Sequence, residues 1–253
     1  MTRDFWAFGD YAAIAPRLQP VAEELVETAR VQPGARVLDV AAGNGNVAIA
    51  AAARGARVEA CDLSPAMVEA GQARTAGLDV HRTIADAHAL PYGDATVDVA
   101  LSAFGVMFAS DPDRAAAELR RVVRPGGAVA LANWTPSGFT AASSELLSAH
   151  LPPPEGPHPL AWGDPILAGA RLAAHGADVQ LHEREVVWRF DDMRDAVEWF
   201  EKGAAYAAVR RAVEPACYAE LPARLEDVIA RFADGDVLLR PRYLIVRATR
   251  RRT

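Results

Sequence analysis

Val37-Leu38-Asp39-Val40-Ala41-Ala42-Gly43-Asn44-Gly45-Asn46 is an apolar run that ends in a carboxylate and then in a glycine-rich turn. Residues 37–40 suit a strand covered on both faces, which need not alternate with polar residues. Gly43 and Gly45 can take positive φ and carry no Cβ, so a ligand can come close to the main chain. Residues 47–53 are small helix formers, with Asn44 or Asn46 as candidate caps of the first turn. A strand thus feeds a loop that faces a helix N-terminus. The same pattern also serves as a ligand-free strand-to-helix turn, so the rest of the chain has to decide.

The chain of 253 residues, 51% hydrophobic and 24% charged, is long enough for a full core in one large domain or two small ones. Its net charge of -6 argues against a nucleic-acid or anionic-membrane surface, since either calls for a concentrated basic patch. The one basic run, Arg250-Arg251-Arg252, reads as a solvated chain end. Cys61 and Cys217 lie far apart and give neither a disulfide framework nor metal-ligand spacing. No metal is expected, and a reducing cytosol is the simplest compartment. The N-terminus lacks the layout of a signal peptide, and no run approaches the ~20 apolar residues that span a bilayer. The expectation is a cytoplasmic protein.

Residues 17–30 carry Leu18, Val21, Ala22, Leu25, Val26 and Ala29 at helical spacing, and Pro33-Gly34 closes that helix. A second strand, 57–62, again ends in a carboxylate, and Ser64-Pro65 opens a helix that runs towards Gly77. A third strand, 80–85, ends at Asp86, and a fourth spans 97–102. Asp111-Pro112 opens a helix to about Val123, Pro125-Gly126-Gly127 stops it, and residues 128–134 make a fifth strand. Strands alternating with helices point to right-handed βαβ units and a mostly parallel sheet. Beyond Thr135 come a helix over 139–151, a proline-rich insertion, and a helix ending near Gly176. A strand over 179–190, helices over 192–212 and 215–232, and a last strand over 243–249 follow; the two strands suit an antiparallel edge pair.

Ligands of open parallel sheets bind outside the carboxyl ends of the strands, and Asp39, Asp62 and Asp86 all fall there. Asp62, about 20 positions beyond the glycine turn, suits an acceptor for ribose hydroxyls. A nicotinamide dehydrogenase has to be weighed, because residues 43–48 satisfy a loose G-x-G-x-x-[GA] pattern. Asp39 argues against it: a carboxylate in the approach repels a pyrophosphate and suits a cation. Asp86-Ala87 adds an acceptor for an adenine amino group, which the dehydrogenase pattern does not require.

The ordered set of 37–46, 58–64, Ala85-Asp86-Ala87 with Leu90-Pro91, 97–108 and 119–127 resembles the class I S-adenosylmethionine-dependent methyltransferases. The branch it resembles is that of the ubiquinone/menaquinone biosynthesis methyltransferases, bacterial small-molecule enzymes. The resemblance implies a single α/β domain with a Rossmann-like, seven-stranded, mostly parallel sheet, helices on both faces and an antiparallel edge strand. Within 1–253, residues 1–34 would form an N-terminal cap, 35–134 the cofactor core, 135–178 a substrate-side insertion and 179–253 the C-terminal strands and helices. It further implies that Gly43 and Gly45 pass beneath the methionine moiety and Asp39 holds its amino group. Asp62 would grip the ribose, with Leu63 and Met67 against the adenine, while Asp86 and Ala87 read the adenine edge. Ser102 would supply backbone near the sulfonium, and Ala41, Asn44, Asn46 and Phe104 complete the cofactor set. Tyr11, read as preceding the first packing helix, would close over the cofactor.

The acceptor is expected to be a small molecule. Trp6, Trp134 and Trp162 are candidate walls of its pocket, whereas Trp188 and Trp199 sit in regular patterns that suit the core. His150, His158 and Tyr206 are candidate bases, each with ordinary packing as the competing explanation. A non-methylating cyclase that keeps the cofactor stays open as a further reading; an interaction scaffold ranks last, because its signature would be loss of the motif residues and they are intact.

Overall fold

The computed structural model describes residues 3–174 and 177–252. Helix α1 (Tyr11–Thr28) opens the chain and buries Ile14, Ala15, Val21, Ala22, Leu25 and Val26 along one face. It begins six residues before the expected start. Asp10 caps it by accepting from the Ala13 N–H, and the internal prolines Pro16 and Pro20 disguise its first turns as a break. Tyr11 is therefore the first residue of the helix, not a residue ahead of it.

Strand β1 (Arg36–Val40), α2 (Asn46–Ala53), β2 (Arg57–Asp62), α3 (Pro65–Arg74), β3 (Val80–Ile84), β4 (Val97–Ala103), α4 (Pro112–Val122) and β5 (Val123–Trp134) follow in the expected alternation. Pro125-Gly126-Gly127 does not precede β5 but lies inside it. The pairing with β4 slips there, from Val97 opposite Val123 to Val99 opposite Ala128, so the glycines form an irregularity in the strand. Next come α5 (Gly138–Ser148), α6 (Pro165–Ala173), β6 (Ala177–Glu185), β7 (Trp188–Arg189), α7 (Met193–Glu201) and α8 (Ala204–Ala212). The chain finishes with α9 (Pro215–Tyr218), α10 (Leu221–Phe232), β8 (Leu238–Leu239) and β9 (Arg242–Arg250). The strand expected over 179–190 stops at Glu185, and Trp188 turns off into a two-stranded ribbon with β8. Gly203 separates α7 from α8. Gly176, expected to end a helix, lies outside the described residues.

The sheet runs β3-β2-β1-β4-β5-β9-β6. Strands β1 to β5 are parallel; β9 runs antiparallel to β5 and to β6, which forms the edge with it. Strand order reverses at β1, so the crevice between the carboxyl ends of β1 and β4 is the place for a ligand. Alternation along β1 sends Val37 into the core beneath α1 and α2, and Leu38 and Val40 into the core beneath α4 and α6. Asp39 consequently points towards α2. Trp188, Phe190, Trp199 and Phe200 form an aromatic cluster under α1, where the Trp188 and Trp199 indoles donate to the Arg17 and Ala13 carbonyls at 3.2 Å each. The terminal arginines are knitted in: Arg250 donates to the Val123 carbonyl at 2.6 Å and Arg251 pairs with Asp178 at 3.0 Å. Among the described residues no helix is long and apolar enough to cross a membrane, and no group of His, Cys, Asp or Glu is placed to hold a metal ion.

Candidate active site

Asp39 is 1% exposed. Its Oδ2 accepts from the Ala48 N–H at 3.0 Å, so this carboxylate, not Asn44 or Asn46, caps α2. The two asparagines face the other way: Asn44 Nδ2 donates to the Tyr11 carbonyl and Asn46 Nδ2 to the Ala15 carbonyl, each at 2.8 Å, tying the loop to α1. Asp39 Oδ1 has no partner. Burial pushes the Asp39 carboxyl up to about 7, opposed by the Arg82 guanidinium and the Ala48 N–H. Asp62, 7% exposed, accepts from the Gly43 N–H at 2.8 Å and the Ser64 N–H at 2.9 Å. Burial raises its pKa too, against those two hydrogen bonds and Arg82.

These carboxylates open onto a cavity of about 320 Å³ at the β1/β4 crevice. Its walls bring together Trp6, Tyr11, Asp39, Ala41, Gly43, Asn44, Asn46, Asp62, Leu63, Met67, Asp86, Ala87 and Phe104. Two expected residues are absent. Gly45 (φ +101) is the N-cap position of α2 and backs onto Arg82, and Ser102 is fully buried, its Oγ accepting from the Val106 N–H at 3.0 Å. Ala103 and Gly105 line the wall in place of Ser102. The strand ends are held in sparsely populated backbone conformations, Ala41 at φ +53 and Phe104 at φ +56. They touch through Gly105, where a Cβ would lie 2.4 Å from the Ala41 carbonyl oxygen. Gly105→Ala should therefore lower the melting temperature and weaken ligand binding together, at a cost of about 1–3 kcal/mol for overpacking a fixed backbone. Thermal unfolding with and without ligand checks this, and an unchanged melt would refute it.

None of the three candidate bases lines the cavity. His150 meets Arg224, His158 accepts from the Leu160 N–H at 3.2 Å as a cap, and buried Tyr206 bonds Ser143 Oγ at 3.2 Å. Trp162 is also excluded: it is buried in the core under α6, with the Arg171 guanidinium 4.7 Å from its ring. Trp134 stacks on Phe104 at 3.7 Å and buttresses that wall without forming it. The residues that sequence reasoning missed include His88, Phe108, Glu155, and Ile14 and Leu18 of α1. Leu18 had a signal, since it lies on the apolar stripe that was read as packing surface; Ile14 falls in the turns of α1 ahead of the expected start. His88 Nδ1 sits 2.7 Å from Asp86 Oδ1, and Nε2 accepts from the Asp111 N–H at 3.1 Å. The backbone donor fixes the tautomer with the proton on Nδ1, facing Asp86, so both ring nitrogens are engaged within the protein.

A family model described as a methyltransferase domain matches residues 38–131. An uncharacterised protein of Mycobacterium tuberculosis is 39% identical over 256 residues, covering 97% of this chain and 93% of its own. The demethylmenaquinone methyltransferase of Clavibacter sepedonicus is 41% identical over 103 residues, 40% of this chain and 42% of that one. The chain belongs to the class I S-adenosylmethionine-dependent methyltransferases. The solved [4+2]-cyclase SpnF shares the fold, with a TM-score of 0.61 at 22% identity over 93% of this chain and 82% of that one. S-adenosylmethionine is the cofactor of the family, and the residues present fit it. The partnerless Oδ1 of Asp39 is an acceptor buried at the cavity wall, as an ammonium group requires. Gly43 sits at φ +53 with nothing within 4 Å of where a Cβ would stand, and each Asp62 oxygen has spent only one lone pair, leaving acceptors for ribose hydroxyls.

Proposed function

We propose that this methyltransferase acts on a small, largely apolar metabolite, aromatic or polyketide-like, whose nucleophile arrives already reactive. The bound cofactor supplies an electrophilic methyl group for in-line displacement. The chain's part is alignment and exclusion of water, which can lower such a barrier by about 7–11 kcal/mol. Support comes from the apolar part of the cavity wall. Trp6 and Phe108 meet edge to face at 4.6 Å, and Ile14, Leu18 and Phe104 continue the apolar wall.

The protonation states narrow the acceptor. Both His88 ring nitrogens are hydrogen-bonded, to Asp86 and to the Asp111 N–H, and burial together with Asp62 drives the Tyr11 phenol far above its ordinary pKa, so Tyr11 stays a neutral donor. A phenolate or a neutral amine needs no base, whereas an aliphatic hydroxyl does. Asp39, Asp62, Asp86 and Glu155 line the cavity and, among the described residues, no lysine or arginine does, which disfavours a polyanionic acceptor such as a nucleic acid.

Mass spectrometry of products from a panel of phenols and aromatic amines tests the reading. One added methyl per turnover, with demethylated cofactor released, is the expected result. Products of unchanged mass with the cofactor intact would favour a cyclase, the reading that the locked His88 and the SpnF fold keep in view. Trp6→Ala should raise the acceptor KM by about tenfold, from an aromatic contact of about 0.5–1.5 kcal/mol plus lost apolar area, while cofactor affinity holds. An unchanged KM would place the acceptor elsewhere.

A further inference from the structure

Arg82 on β3 is 8% exposed and is not among the residues that line the β1/β4 cavity, lying behind the glycine loop. Its Nη2 donates to the Gly43 carbonyl. Its Nε and Nη1 have no hydrogen-bond partner. Two glycines make room for it: a Cβ at Gly71 of α3 would stand 2.0 Å from the Arg82 Cζ, and one at Gly45 2.7 Å from Nη1. A guanidinium buried only for architecture would saturate its donors. This one leaves two nitrogens idle, with the carboxylates of Asp39 and Asp62 acting on it through space.

We propose that Arg82 is a positioning residue of the cofactor site: a fixed positive charge behind the loop that holds the Gly43 carbonyl and balances Asp39 and Asp62 until the cofactor's ammonium completes the set. Two buried carboxylates against one guanidinium leave the site one positive charge short. The other groups facing it do not fill that gap. The Cys61 thiol is pushed up to about 12 by burial and stays neutral. Tyr11 stays protonated, and the Arg74 guanidinium is turned to the Asn44 carbonyl and to the Asn44 and Asn46 side chains at 2.8–3.1 Å, whereas Arg82 is the cation that acts on Asp39 and Asp62. Arg82 therefore acts on Asp39: it opposes the effect of burial and lowers the pH at which the carboxylate gives up its proton and becomes free to take an ammonium.

The test is equilibrium binding of S-adenosylhomocysteine across pH, with no turnover involved. Wild-type affinity should fall about tenfold per pH unit below the Asp39 midpoint, because a proton and the ammonium compete for one carboxylate. In Arg82→Met the midpoint should move alkaline by about one pH unit or more, with affinity recovering at high pH, while Arg82→Lys should stay near the wild type. Gly71→Ala, which displaces the guanidinium without removing it, should move the midpoint in the same direction and serves if the Met variant does not fold. A loss of affinity equal at every pH, with the midpoint unmoved, would reduce Arg82 to a structural role and overturn the proposal. The proposal rests on the cofactor seat at Asp39; a wild type that binds the probe at no pH would overturn the seat itself, an outcome distinct from an unmoved midpoint.

Discussion

Asp62→Ala should weaken S-adenosylmethionine binding by about 10- to 150-fold, the equivalent of about 1.5–3 kcal/mol for a charge-assisted hydrogen bond. The estimate is a lower bound, because Asp62 does two jobs. Its two oxygens hold the Gly43 and Ser64 N–H groups, so the alanine variant also frees the glycine loop and the first turn of α3. Asp62→Asn separates the jobs. The amide keeps the volume but has a single acceptor oxygen, so one of the two N–H groups loses its partner and the ribose faces an NH2 donor. Both variants should bind weakly by calorimetry, the alanine more so. The fold should survive, since burial already disfavours the ionised form of this carboxyl. An unchanged dissociation constant in Asp62→Ala would remove the residue from the site.

The strand ends carried most of the legible information. In an open sheet, a carboxylate at the end of β1, β2 or β3 has to lie along one crevice, so Asp39, Asp62 and Asp86 could be placed together before any coordinates. Periodicity located the parallel strands for the same reason: buried strands are continuous apolar runs. Helix α1 was less legible, because Pro16 and Pro20 look like breakers and only the packing of Trp188 and Trp199 beneath the helix explains how it tolerates them. Side-chain direction was the second obstacle. Trp162 sits in the right segment but faces α6. The tie between Asn44 and α1 depends on where a distant helix lands, which no local pattern encodes. His88, two residues past Asp86, was the most recoverable omission, yet its lock requires the Asp111 backbone, 23 positions away.

Asp39→Asn should separate stability from function. In the unfolded chain Asp39 titrates at the ordinary value near 3.8, whereas in the folded, empty protein it titrates at about 7. Between those values the folded state holds a proton that the unfolded state has released, so stability falls as pH rises from about 4 to about 7 and is level above. The Asn side chain keeps an oxygen for the Ala48 N–H and never ionises, which removes that decline. Above pH 7 the empty variant should therefore melt higher than the empty wild type, and below about pH 4 the two should converge. Saturating cofactor should reverse the order, because binding stabilises by RT ln(1 + [L]/Kd) and the variant, offering an amide to an ammonium, loses about tenfold or more in affinity. The crossover is the diagnostic, read as melting temperatures at pH 6 and pH 8 with and without S-adenosylmethionine. Parallel melts of the two empty proteins across pH would show that the buried carboxylate costs the fold nothing. A wild type that gains no more from the cofactor than the variant would show that the ammonium seat lies elsewhere. The unpartnered oxygen of Asp39 argues for the crossover, since a fold that optimised only its own stability would have given that oxygen a donor.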